Sequence, residues 1–171
     1  MNIRQFTEAD ASEYWKLRLG ALKGCPEAFG ASYEEEKNKL LSTVEQRIKE
    51  SSEATDSEFI LGCFDEEGRL LGMVGLFREW REKMRHKATI YGMYVIPEAR
   101  SKGIGKALLL EAISRAKNMQ GLEQVRLGVV VTNKEAGNLY RGCGFEVYGY
   151  EKNALKLHDK YLDEELMVLT L

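Results

Sequence analysis

The chain has 171 residues, 44% of them hydrophobic and 30% charged, which are the proportions of one ordinary folded domain with a sizeable core. Its 25 Lys and Arg against 27 Asp and Glu leave a formal net charge of -2, which argues against nucleic acid as a general partner because a phosphate backbone needs a basic surface. No apolar span is long enough to cross a membrane and Met1-Asn2-Ile3-Arg4-Gln5 lacks a signal-peptide core, so no membrane partner is expected. Three widely spaced cysteines (Cys25, Cys63, Cys143) suit reduced thiols in a cytoplasm, and His86 and His158 show no metal-ligand spacing.

Asn2 to Phe6 alternates like a short edge strand. Thr7, with Asp10 three residues on, reads as a variant helix cap, and Tyr14, Leu17, Ala21 and Leu22 form the apolar face of the helix that follows, stopped by Gly24 and Pro26. A second helix is expected within Tyr33–Glu50, with Leu40, Leu41, Val44 and Ile48 as its stripe, then a polar linker from Ser51 to Ser57. Phe59–Phe64 and Arg69–Phe77 read as a hairpin turned at Asp65-Glu66-Glu67-Gly68. The basic stretch from Arg78 to Lys87 reads as a solvated connection. Ala88–Val95 is apolar on both faces, which marks a central strand. A helix is expected from about Gly103 to Met119, a buried strand over Val125–Val131, and a short helix from Thr132 or Asn133 to Cys143. Two long strands, from Phe145 and from Tyr161, close the chain as a hairpin. Strand–helix–strand around 88–131 implies a right-handed crossover and a parallel pair, and the flanking hairpins imply antiparallel strands. The expected fold is one α/β domain over 1–171, a mixed and mostly antiparallel sheet with a central parallel pair and helices on both faces.

The most informative stretch is Val95-Ile96-Pro97-Glu98-Ala99-Arg100-Ser101-Lys102-Gly103-Ile104-Gly105-Lys106. Pro97 ends the strand, because it offers no N–H to a ladder. Ile104, Leu108, Ala112 and Ala116 recur every four residues and start a helix. Its first amides have no partner within the helix, glycines let an anion approach them, and the helix dipole favours negative charge there. Arg100, Lys102 and Lys106 add positive charge, so the stretch reads as a phosphate or pyrophosphate seat. It is not a Walker A loop, since Arg100 stands where the first glycine belongs and Ala107 where Ser or Thr belongs. Nor is it a dinucleotide fingerprint, since Leu108 replaces the third glycine.

The remaining pattern, Arg-x-x-Gly-x-Gly between strand and helix, resembles the acetyl-CoA pyrophosphate loop of the GNAT N-acetyltransferases. Asn133-Lys134-Glu135-Ala136-Gly137-Asn138-Leu139-Tyr140-Arg141-Gly142-Cys143-Gly144-Phe145 is similar to that family's second motif, with Asn133, Ala136, Tyr140, Gly144 and Phe145 at the matching places. The order of elements also resembles the GNAT fold over most of the chain. The resemblance implies a transferase that uses acetyl-CoA to acetylate a primary amine, of a small molecule or a protein N-terminus, by direct attack in a ternary complex. It further implies that the backbone of Met93, Tyr94 and Val95 binds the pantetheine arm, that Arg100, Ser101, Lys102, Gly103, Ile104, Gly105 and Lys106 hold the pyrophosphate, and that Asn133 reaches the cofactor or caps its helix.

On the same basis Tyr140 is the general acid to the departing thiolate, and the Val95 amide is the oxyanion donor. Some family members carry a glutamate base on the central strand; Ala88–Val95 has none. Glu79 is the candidate base, with Tyr91 an alternative through water. The acceptor pocket is expected near Phe29, Tyr33, Glu34 and Tyr91, with Tyr161, Asp163 and Glu164 of the last hairpin opposite. Cys143 as a covalent acetyl carrier is disfavoured by its packed helix face with no His beside it in sequence. The family also includes dimers, so a homodimer is an open expectation. The missing strand glutamate favours one rival, a non-catalytic acyl-CoA sensor on the same fold.

Overall fold

The computed structural model describes residues 1–54 and 56–171. Its strands are β1 (Asn2–Gln5), β2 (Glu58–Phe64), β3 (Leu70–Arg78), β4 (Lys87–Val95), β5 (Gln124–Val130), β6 (Glu146–Leu157) and β7 (Lys160–Thr170). The α-helices are α1 (Ala11–Gly24), α2 (Tyr33–Glu36), α3 (Leu41–Glu53), α4 (Ile104–Lys117) and α5 (Lys134–Gly142). The described strands form one sheet in the order β1-β2-β3-β4-β5-β7-β6. All neighbours are antiparallel except β4 and β5. The expected mixed sheet with one parallel pair is therefore present.

Strand side chains alternate between two buried layers, as the two-residue period of a strand requires. Phe59, Leu61 and Cys63 of β2 and Ala88 and Ile90 of β4 meet the stripe of α4, Ile104, Leu108, Ala112 and Ala116. Ile60 and Phe64 face the other way, onto Tyr14 and Ala21 of α1 and Val44 and Ile48 of α3. Burial on both faces explains why these strands read as nearly continuous apolar runs.

Several local expectations change. Thr7 and Asp10 do form a reciprocal cap, but it opens a short 3-10 turn over Glu8–Asp10, and α1 starts only at Ala11. The second helix is two helices: α2 opens on a capping box of Ser32 and Glu35, and α3 begins after Leu40. The helix α3 continues to Glu53, into the expected polar linker, because Val44, Ile48 and Ser51 lie on its buried face. Thr55 of that linker lies outside the described residues.

Two features create the site. Along β3 and β4, Met73 pairs with Tyr94 but Gly75 pairs with Tyr91, so Val74 faces two residues, Gly92 and Met93. This is a β-bulge, and Gly92 takes the left-handed φ of +61° that a bulge position asks of glycine. The parallel ladder between β4 and β5 covers only Lys87–Thr89 against Gln124–Arg126. A bulge bends and twists its strand. Past Thr89, as the strand approaches the bulge, β4 leaves β5, whose other edge stays paired with β7 as far as Val130 and Glu164.

Candidate active site

The splay opens a cleft of about 730 Å³. Met93, Tyr94 and Val95 form one wall and Gly128, Val129 and Val130 the other, with the Gly103–Lys106 turn, Asn133 and Tyr140 around them. Past Thr89 the β5-facing edge of β4 has no ladder partner among the described residues. An extended chain can add there as a strand does.

The turn into α4 is an amide cradle. Ser101 and Gly103 take positive φ, 59° and 79°. A Cβ at Gly103 would meet nothing within 4 Å, so glycine is there for backbone conformation and open approach. Among the described residues the amides of Ser101 to Lys106 find no acceptor; Ala107 makes the first bond of the helix, to Gly103 at 2.9 Å. These donors, with the Lys106 ammonium on the lining, are the set a diphosphate needs. The cleft therefore fits coenzyme A in donor chemistry.

Two basic side chains of this stretch, one of them on the cleft lining, make contacts within the protein. Arg100 folds back: its Nε donates to the Val95 carbonyl at 3.1 Å and its Nη2 lies 3.7 Å from Cys25 Sγ. Its guanidinium also sits 5.6 Å from the centre of the Tyr94 ring, so Arg100 braces the cleft wall. Lys102 donates to the Glu98 carbonyl at 2.9 Å and does not line the cleft.

Asn133 is the N-cap of α5, accepting from the Ala136 amide at 3.2 Å. The helix carries Tyr140 on its buried face to the cleft floor, where the ring packs edge-on to Phe145 at 6.0 Å. Among the described residues the Tyr140 hydroxyl reaches only the Met93 thioether, at 3.6 Å, a weak acceptor. Burial pushes its pKa up to about 12. Burial likewise pushes the Cys143 thiol up, and Cys143 does not line the cleft.

The candidate base and most of the acceptor candidates lie elsewhere. The Glu79 amide closes the β3–β4 hairpin on the Lys87 carbonyl. From Ala88, beside that hairpin end, to Val95 is seven residues of β4. At about 3.3 Å per residue that is on the order of 23 Å, far beyond proton-transfer reach. Tyr91 faces another, open cavity of about 550 Å³, lined also by Arg47, Glu58 and Phe77. Its hydroxyl donates to Glu58 at 2.6 Å, and burial, then that hydrogen bond, raises its pKa well above the ordinary phenol range. Glu34 is exposed and paired with Lys37, and Tyr33 lies under Lys23. Phe29 alone of that set lines the cleft, 6.4 Å from Tyr94 between ring centres.

The sequence reading missed the wall formed by Gly128, Val129 and Val130, and Cys25 beside Arg100. Gly92 was a usable signal: a glycine inside a strand pattern marks a bulge. No local pattern marks β5 as the opposite wall, since that depends on where β4 departs from it.

A family model described as the acetyltransferase (GNAT) family matches residues 23–145, more than half of the chain. The chain belongs to the GNAT family. Among GNAT relatives, the mycothiol acetyltransferase of Segniliparus rotundus is 29% identical over 153 residues, covering 88% of this chain and 54% of that protein, so the chain spans about half of its length. A GNAT-family acetyltransferase from Streptococcus pneumoniae superposes with a TM-score of 0.88 at 22% identity over 99% of both chains, a likeness of fold. The GNAT phosphinothricin acetyltransferase of Sinorhizobium meliloti, in complex with acetyl-CoA, has a TM-score of 0.82 at 27% identity, covering 99% of this chain and 88% of that one.

Proposed function

We propose that the protein moves acetyl from acetyl-CoA to a primary amine by direct attack in a ternary complex. The observation that carries the reading is the splay of β4 from β5 beside a turn of unpaired amides, with Tyr140 at the floor of the cleft. Membership of the GNAT family and the acetyl-CoA in the Sinorhizobium neighbour point the same way.

In this reading the Ser101–Lys106 amides and Lys106 hold the diphosphate, and the open edge of Met93–Val95 takes the pantetheine arm. The Val95 carbonyl is already engaged by Arg100, which fixes the strand end. The Val95 amide donates to the oxygen that gains charge as the amine adds to the thioester carbonyl. The Tyr140 hydroxyl gives its proton to the departing sulfur. That hydroxyl is available because its present partner, a thioether, holds it weakly. Among the described residues all three cysteines are free thiols, which suits the cytoplasm as its compartment. A homodimer has a candidate face on the outer strand β6, where Val147, Tyr148 and Tyr150 are exposed.

Calorimetry with acetyl-CoA and thiol release over a panel of amines test the proposal. Binding in the micromolar range with amine-dependent thiol release is expected; no heat from acetyl-CoA overturns the reading.

A further inference from the structure

Next to the cleft, over its lining residues Phe29 and Gly128, stand two charged side chains that have no ion pair among the described residues, Arg18 and Glu164. In Asp163-Glu164-Glu165 of β7, Asp163 accepts from the Tyr150 hydroxyl at 2.6 Å and from the Asn153 amide at 2.8 Å, and Glu165 pairs with Arg141. Among the described residues Glu164 has neither a hydrogen bond nor an ion pair. It is half-buried, and desolvation, then the nearby Glu151, raises its pKa. Glu151 is its direct cross-strand partner on β6. Two carboxylates facing each other across a strand pair repel unless a cation lies between or beside them.

On α1, Lys16 pairs with Glu13, whereas Lys23 and Arg18 meet no carboxylate among the described residues and each lies over an aromatic ring. Arg18 occupies the sheet-facing stripe between Tyr14 and Ala21, where an apolar residue belongs. Its guanidinium lies 5.2 Å from the centre of the Phe29 ring.

Both groups come down onto glycines of the splayed strands. Arg18 Nη1 is 3.7 Å from where a Cβ of Gly92 would be, and Glu164 Oε2 is 2.8 Å from where a Cβ of Gly128 would be. Thr89 and Arg126 are the last paired residues of β4 and β5. Continued, that register puts Gly92 and Gly128 within one residue of the same level on adjacent strands. Adjacent strands are about 4.8 Å apart where they pair and wider where they part. The cation and the anion thus stand over opposite sides of one gap, too far apart to close an ion pair, with Phe29 and Tyr94 beside them. Arg126, two residues before Gly128, bonds Gln124 and packs over Tyr148, its buried Nε has no partner among the described residues, and no hydrogen bond or ion pair joins it to Glu164.

We infer that this gap is the acceptor subsite and that the acceptor is an amine carrying its own carboxylate, an α-amino acid or the like. Its amino group lies against Glu164 and its carboxylate against Arg18. A zwitterion completes both charges at once, and the glycines let the two charged heads come down close to the strands. The inference rests on the acetyltransfer reading and names the class of substrate for it.

The test is thiol release from acetyl-CoA with the L-amino acids, with the methyl esters and decarboxylated amines of those that react, on the wild type, Arg18→Gln and Glu164→Gln. An L-amino acid is expected to be the acceptor, with KM about tenfold or more higher for its ester and its decarboxylated amine, the loss of a charge-assisted hydrogen bond. Arg18→Gln should erase the preference for acid over ester, and Glu164→Gln should raise KM for both. The ester comparison needs no variant, so it stands if a variant misfolds. Equal turnover of acid and ester, or turnover only of amines without a carboxylate, overturns the inference and leaves acetyltransfer intact. No reaction with any L-amino acid while acetyl-CoA still binds does the same, and failure of acetyl-CoA to bind removes both readings.

Discussion

Replacing Tyr140 by Phe removes one oxygen from a ring that is 8% exposed and otherwise held by packing. The lost contact is a single hydroxyl–thioether hydrogen bond at 3.6 Å, so stability should fall by less than about 1 kcal/mol. In a domain of this size that is a Tm change of at most about 4 °C. The chemical step should suffer far more. With the phenol at about 12 and a simple thiol near 8.5, complete transfer of the proton is uphill by about 3.5 units, or about 5 kcal/mol. A thiolate formed in the same buried space is itself raised, so the effective gap is smaller and the proton moves as the C–S bond breaks. Loss of such an acid lowers kcat by about 10² to 10⁴. Thiol-release kinetics, acetyl-CoA calorimetry and a thermal scan on the same samples separate these effects. The expected set is a kcat down by at least about 100-fold, an acetyl-CoA Kd within about threefold, and a nearly unchanged Tm. The acid works protonated and its pKa is about 12, so no alkaline loss of wild-type rate should come from Tyr140 below about pH 10. A kcat for Tyr140→Phe within twofold of wild type would refute the acid role; a sensor would show no turnover in either form.

Glu79→Gln should leave kcat/KM within about twofold, because Glu79 lies about 23 Å along the sheet from the Val95 amide; a fall of a hundredfold would mean that the hairpin end is part of the site. Asn133→Ala removes the α5 cap and should cost about 1 kcal/mol, a Tm drop of about 3 °C in a thermal scan. Asp10 is bound at 2.7 Å by Arg4, which holds its carboxyl at about 2 against an ordinary 3.8. The depressed value means that the pair stabilises the fold above about pH 4 and that this is lost as pH falls towards 2. With the Arg4 side chain 40% exposed, solvent screening reduces the contribution to about 1 kcal/mol. Asp10→Asn should therefore lower denaturant stability by about that amount at pH 7, with the gap to wild type closing at acid pH; an equal gap at pH 7 and pH 2 would contradict this account.

What could be read from the chain alone is what neighbouring residues decide together. The amide cradle was legible because Pro97, Gly103, Gly105 and the Ile104-Leu108-Ala112-Ala116 stripe are contiguous and each has a local conformational consequence. The Asn133 cap and the Tyr140 face of α5 were legible for the same reason, as was the parallel pair, since the crossover through α4 imposes it. The wall of the cleft was decided elsewhere. It required β7 to lie between β5 and β6, and a bulge at Gly92 to turn β4 away after only three paired residues. Tertiary burial, not residue type, lifts the Tyr140 phenol and turns Arg100 inward to Val95. Glu79 and Glu164 are equally acidic as letters. One closes a hairpin far from the cleft and the other sits unpaired over Gly128, because packing and strand order, which join distant segments, decide which charge meets water and which meets the gap.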